Sequence, residues 1–517
     1  MSEALEVAGC IAATGAVSAA LLVSDARLRA AGLLVAMAIA TALVAGQGWD
    51  EIRGLRDHPP EFAGTIVAAV VVVVAAAAAM LRWPSLLPLL MLATMAFRIR
   101  LHVSGEQAVN LLIPLYATIG AGVLATAVDA ARGRDRLRPL PRPLVLAIVL
   151  VISLYALQTI YSGDVAFATR NVGFFLVPFA VLFCLFAMAP WDRRLLRLAF
   201  AVVLAEAVIL AGIGIGQYLT EHIFWNGKLE ASNDFHFYFR VNSLFWDPNI
   251  YGRYLMTAIL FTCAALLWTV DRRVAFVLIG TLAVTFAGLV FAFSQTTFIA
   301  LFVGLAVLAG LRWSVRWAAI ATPVAVASIA LGVLFLAGGS NETTRDVTEG
   351  HSSLASGGVE LARNRPLYGY GSASFSKEFA REENVPPGET TISHTEPITV
   401  AAEQGLIGVV GYLVLLAAAL WTAFSGMRSM APGFGARFRP IGDGDRDEVT
   451  PPRIGIAAAF VALLVHTIGY AAYLTDPLTW ALLSVGGLLA AEVGAGGWPR
   501  RAADAAEGES APAPTVA

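Results

Sequence analysis

Charge is scarce in this 517-residue chain: Asp, Glu, Lys and Arg make up 14% of it, against 58% hydrophobic residues. A soluble globular domain carries about 25% charged residues, so that class is excluded. Cysteine is nearly missing as well. Cys10, Cys184 and Cys263 each lie inside an apolar run, which reads as small buried hydrophobes and excludes a disulfide framework or a thiolate metal site. There is no G-x-x-x-x-G-K-[ST] loop, so cytosolic ATP-driven chemistry has no support. Neither H-E-x-x-H nor a paired-cysteine motif occurs, which leaves no zinc site and no metal expected. The opening M-S-E-A-L-E lacks the basic segment of a signal peptide, so the first apolar run reads as a retained helix. The net charge of −2 decides little, because in apolar chains the placement of charge matters more than its sum.

Long hydrophobic runs are what the chain has in abundance. Its mean hydropathy is +0.71, and many runs approach the ~20 residues that span a ~30 Å hydrocarbon layer. The fold class is therefore all-α: a polytopic helical membrane protein with about 14–15 transmembrane helices. Spans fall at 7–23, 29–46, 62–81, 83–98, 108–130, 143–161, 171–190, 194–219, 250–269, 273–292, 296–311, 315–337, 405–424, 454–474 and 477–495. The organisation reads as N-terminal helices (1–219), a first polar loop (220–249), further helices (250–337), a long polar interval (338–404), C-terminal helices (405–497) and a disordered tail (498–517). Placing 338–404 outside puts most of the 35 Lys and Arg on the inner side, as the positive-inside rule requires for short loops. The chain is then expected to be a multi-pass membrane protein with its long polar interval outside.

Two polar segments break the apolar pattern. Thr220 to Asn249 is dense in aromatics, which suits an interfacial belt, but that leaves Arg240 and the Asp247-Pro248-Asn249 turn unexplained. The interval 338–404 carries His351, His394, Arg345, Arg363, Arg365, Lys377 and Arg381 with several carboxylates. A loop this long without clear periodicity is usually functional or disordered. These groups suit a metal-free transfer from a lipid diphosphate. Guanidinium groups neutralise a departing diphosphate bidentately, for which Arg240 and Arg345 are candidates. A neutral imidazole accepts the proton of an attacking hydroxyl, for which His394 is the candidate. The plainer alternatives stand beside these: arginines that snorkel to headgroups, and a helix-capping or interfacial histidine.

Other polar features read more plainly. Asp443, Asp445 and Asp447 resemble a divalent-metal set but sit in a Gly/Arg/Pro-rich linker, best read as solvated. Gly369 and Gly371 alternate with Tyr368 and Tyr370; they permit positive φ or close approach in a turn whose two rings suit sugar faces, with simple packing the favoured alternative. Gly405 and Gly408 give a helix a small packing face. Glu206 and His466 are ionisable groups inside spans, functional suspects by position, yet neither is assigned a catalytic role.

Four stretches together resemble the O-antigen ligase and polymerase superfamily, polytopic bacterial glycosyltransferases that use polyprenyl-diphosphate-linked glycans. They are R-V-N-S-L-F-W-D-P-N-I-Y-G (Arg240 to Gly252), F-A-F-S-Q-T-T (Phe291 to Thr297), N-R-P-L-Y-G-Y-G-S-A-S-F (Asn364 to Phe375) and S-H-T-E-P-I-T-V-A-A-E-Q-G-L-I-G (Ser393 to Gly408). In the second stretch Gln295 stands where the family usually has arginine. The resemblance implies a type C glycosyltransferase-like helical fold in the cytoplasmic membrane, with an extracytoplasmic active loop. It implies His394 as the base, Arg240 and Arg345 as diphosphate binders, and Glu403 as a motif residue that orients His394 or pairs with an arginine. Tyr368 and Tyr370 join the substrate-binding set. The implied partners are a polyprenyl-diphosphate-linked glycan donor, a glycan, lipid or protein acceptor, and membrane lipid, with no nucleic acid and no cofactor.

Ligase and polymerase share these motifs, and ligase-like is marginally favoured. A transporter of polysaccharide or lipid-linked sugar is a reading from another class; it predicts internal repeats and polar groups at the midplane, whereas here the polar groups collect outside. A non-catalytic scaffold predicts that His394→Ala leaves function intact.

Overall fold

The computed structural model describes residues 2–47, 59–97, 99–102, 108–224, 226–234, 238–312, 343–383, 395–425 and 450–494. Helices α1 (Glu3–Leu22), α2 (Ala26–Gln47) and α3 (Pro59–Arg82) lead to a short α4 (Leu86–Met95) and an antiparallel hairpin of β1 (Ile99–His102) and β2 (Ala108–Leu111). Next come α5 (Ile113–Ala131) and α6 (Arg142–Leu157), the latter ending in a 3-10 turn at Gln158–Tyr161. α7 (Val165–Asn171) passes through a π-turn at Val172–Leu176 into α8 (Val177–Met188). Then follow α9 (Arg193–Thr220), the short α10 (Gly227–Asn233), α11 (Pro248–Trp268), α12 (Arg272–Phe291) and α13 (Gln295–Arg312). The C-terminal part holds α14 (Thr343–Asn364), α15 (Phe375–Glu383), α16 (Glu396–Phe424), α17 (Thr450–Gly469) and α18 (Pro477–Gly494).

Among the described residues, twelve helices are long and apolar enough to cross a membrane, with shorter apolar helices at Leu86–Met95 and Pro477–Ala491. The chain has the architecture of a multi-pass helical membrane protein. Polar side chains start several spans: Asp192 accepts from the Leu195 N–H, Asp247 from Asn249 and Asp271 from Arg273 and Val274, each satisfying donors that have no intrahelical partner. α8 is buried along its whole length, Val177 to Met188. A helix apolar on all sides belongs at a centre, and here its neighbours include α18, through Phe183 against Trp480.

Several expected boundaries shift. The span at 83–98 is a ten-residue helix followed by the β1–β2 hairpin, so the next helix starts at Ile113 and not at 108. Pro114 in its first turn is the physical reason, since proline fits a helix start and lacks the N–H an interior position needs. The helix expected over 454–474 stops at Gly469. The polar interval is also not an aperiodic loop: α14, α15 and the first turns of α16 occupy it. α14 hides its amphipathicity in a narrow stripe of Leu354, Gly357, Gly358 and Leu361, which packs with Phe375, Phe379 and Ala402. The expected span 315–337, the acidic linker around Asp443, the tail and His394 lie outside the described residues.

Segments that arginine placement assigns to one side also meet one another. At one end Arg29 pairs with Asp135 at 2.7 Å, Arg312 lies 5.4 Å over Trp268, and Arg453 donates to the Ser425 carbonyl. At the opposite end Gln47 meets Arg170, Tyr161 meets Tyr368, and Arg240 meets Ala292.

Candidate active site

The four motif stretches join in two pairs at that second end. The first pair is the Arg240 loop and the start of α13. Val241 donates to the Phe291 carbonyl at 3.1 Å, Arg240 Nε to the Ala292 carbonyl at 3.3 Å, and the Ser294 hydroxyl to Asn249 Oδ1 at 2.6 Å. Arg240 is held from behind by Asn233, which both accepts from its N–H and donates to its carbonyl at 3.0 Å. The terminal amines of the half-buried Arg240 have no partner among the described residues. Tyr238 stacks on Phe293 with ring centroids 4.8 Å apart.

The second pair is the 364–375 loop and α16. α16 is broken at Gly405, whose φ of 63° and ψ of −162° are reachable by glycine alone. A break within a span strands backbone groups that lipid cannot satisfy, and the loop supplies the partners. Pro366 and Leu367 carbonyls accept from Leu406 and Ile407, while Tyr370 and Gly371 donate to Ala402 and Glu403 carbonyls. Gly369 and Gly371 both have positive φ, at 65° and 94°, the freedom their Tyr-Gly alternation suggests. The loop is tied to the end of α6 as well: Tyr161 donates to the Tyr368 carbonyl, Ser162 to the Ser372 carbonyl and Gln158 to the Gln404 carbonyl.

One turn, 470–476, links the two pairs. Glu396, first residue of α16, accepts from the Ala472 and Tyr473 N–H groups at 2.8 and 3.2 Å. From below, the wholly buried Arg253 of α11 donates to the Ala472 and Tyr470 carbonyls and pairs with Asp476 at 3.0 Å. Its remaining donors face His466 Nδ1 at 3.1–3.3 Å. His466 Nε2 sits 3.0 Å from Thr297, which contacts Ser294 at 2.7 Å and so closes a route back to Asn249.

The expected site residues are placed as follows. Arg240 is in the first pair. Glu403 is in the second, buried, with its carboxylate accepting from the Ala373 and Phe375 N–H groups at 2.8 and 3.2 Å. Its partners in this clasp are thus the loop's own amides, and the expected partnership with His394 falls outside the described residues. Tyr368 is 55% exposed beside Tyr161, whereas one face of Tyr370 is covered by the Arg365 guanidinium at 4.3 Å. Arg345 lies in the first turn of α14, and His394 directly precedes Thr395, the N-cap of α16. Gly405 is a break and also a place of close backbone packing, against Leu367 and Tyr368, while Gly408 makes room for the Gln404 side chain. His466 and Glu206 are both engaged, His466 as above and Glu206 by the Tyr254 hydroxyl at 2.5 Å.

Sequence reasoning missed Arg253, Asp476, Glu396 and Tyr161. Arg253 carried a usable signal: it is an arginine six residues after a helix-starting aspartate, inside an otherwise apolar run, where an ionisable group needs a partner. No family model matches this chain, and no curated protein matches it.

Proposed function

We propose that this protein is an O-antigen ligase-like membrane glycosyltransferase, moving a glycan from a polyprenyl-diphosphate carrier to an acceptor hydroxyl at the outer face of the cytoplasmic membrane. The observation that supports this reading best is the meeting of all four motif stretches at one end of the bundle, joined through the 470–476 turn. The acceptor hydroxyl attacks the anomeric carbon, its proton passes to His394, and the bond from that carbon to the diphosphate oxygen breaks. Arg240 and Arg345 neutralise the charge that collects on the departing polyprenyl diphosphate. One direct displacement inverts the anomeric centre. The reaction draws on no metal in this reading.

The test is transfer in membranes. Arg240→Ala and His394→Ala each abolish glycan transfer while the protein still inserts at normal levels, and transfer by the parent protein persists in EDTA. Loss of transfer on chelation, restored by Mg²⁺ or Mn²⁺, overturns the metal-free mechanism; full transfer by His394→Ala overturns the assignment of the base.

A further inference from the structure

Five polar side chains run in an unbroken line from the interior to the first motif pair: Arg253, His466, Thr297, Ser294 and Asn249. Arg253, His466 and Thr297 are 0% exposed and Ser294 1%, whereas Asn249 is half-buried. The line has a direction, and arginine sets it. A guanidinium only donates, so His466 Nδ1 accepts from Arg253 and the ring proton sits on Nε2. That proton goes to Thr297 Oγ1. Among the described residues, Thr297 Oγ1 hydrogen-bonds only to His466 and Ser294, so its own proton goes to Ser294. Ser294 is left to donate to Asn249 Oδ1.

The end of the line is therefore fixed: the Asn249 carboxamide turns its oxygen inward and its NH2 outward. That NH2 has no partner among the described residues. The side chain is not needed to cap α11, because Asp247 does that, accepting from the Asn249 backbone N–H at 2.6 Å. Room is reserved for the line as well: a Cβ on Gly252 would lie 2.8 Å from Thr297 Oγ1. Arg240 docks on Ala292, two residues before Ser294, so a guanidinium and a carboxamide flank the same short segment, both with donors to spare.

We infer that Asn249 is a ligand-binding residue whose carboxamide donates to an oxygen of the anionic diphosphate, and that Arg253 positions it through His466, Thr297 and Ser294. This rests on the diphosphate reading above and adds to it a second donor beside Arg240. Buried lines of this kind hold one geometry when every member is satisfied.

The test uses the purified full-length protein with inorganic pyrophosphate as the probe, measured by calorimetry, alongside glycan transfer by the same preparation. Asn249→Asp keeps an acceptor for Ser294 but replaces the outward donor with a second, negatively charged oxygen. It should keep the thermal midpoint and weaken pyrophosphate binding about ten- to a hundredfold, the range for a lost hydrogen bond to a charged group. Ser294→Ala removes the orientation and also strands the Thr297 hydroxyl proton, which lowers the thermal midpoint. It should weaken binding by a smaller factor than Asn249→Asp, with both binding and midpoint rescued by Ser294→Thr. Pyrophosphate binding by Asn249→Asp equal to that of the parent, in a preparation that transfers glycan, overturns the inference and leaves the proposed function standing. A parent protein that neither binds pyrophosphate nor transfers glycan overturns both. If Asn249→Asp does not fold, Ser294→Ala decides, and an unchanged affinity there overturns the inference.

Discussion

Gly405 and Leu367 approach so closely that a Cβ on Gly405 would lie 2.5 Å from the Leu367 carbonyl carbon. The glycine also holds a backbone conformation that costs other residues on the order of 1–3 kcal/mol. Gly405→Ala should therefore lower the thermal midpoint in detergent and reduce yield, whereas Gly212→Ala, where a Cβ would meet nothing within 4 Å, should be tolerated. Equal midpoints for the two variants would rule out a required break.

Glu403 offers two carboxylate oxygens to two backbone N–H groups. Glu403→Gln keeps the shape but turns one acceptor into a donor that faces an N–H. Leaving a buried donor unsatisfied costs about 1–3 kcal/mol. The loop should loosen locally, so amide exchange at Ala373 and Phe375 should accelerate while exchange in α8 stays slow. Unchanged exchange at both amides would count against the clasp.

Arg253 and Asp476 form an ion pair with side-chain exposures of 0% and 10%. Removing one partner of a buried pair is costed at roughly 3–5 kcal/mol, because the other charge is left uncompensated. Asp476→Asn and Arg253→Met should each destabilise strongly, and the double variant should lose less than the sum. Strict additivity in that cycle would show that the two charges do not depend on each other.

Tyr368 and Tyr370 are adjacent to the same glycine yet face different surroundings. Tyr368 is exposed and stands edge-on to Tyr161 at 6.0 Å, while Tyr370 carries Arg365 on its face. If the proposed function holds, Tyr368→Ala should raise KM for the proposed glycan donor several-fold with little effect on the thermal midpoint. Tyr370→Ala should act mainly on stability. The reverse pattern would assign the ligand face to Tyr370.

The architecture was legible because hydropathy reports the apolar runs directly, and the arginine pattern groups segments that meet at one end. Gly369 and Gly371 were legible only in part: positive φ was one option beside simple packing, and the sequence favours packing because it does not show which backbone the loop meets. Gly405 was not: glycines three apart look the same whether a helix packs on them or breaks at one. α14 escaped because a four-residue apolar stripe within a charged segment leaves the average composition polar. Arg253 was hidden by the same averaging in reverse, as one charge inside an apolar span. Glu403 could not be assigned from sequence, because its partners are backbone N–H groups, which every residue type carries.

Ala472 gives its N–H to Glu396 and its carbonyl to Arg253, so the two halves of the site are coupled through main chain. Alanine scanning passes over such a connection, since the residue is already alanine and its contribution is made by atoms that no side-chain replacement removes. Probing it calls for an amide-to-ester exchange at this one position, which deletes the donor and leaves every side chain as it was.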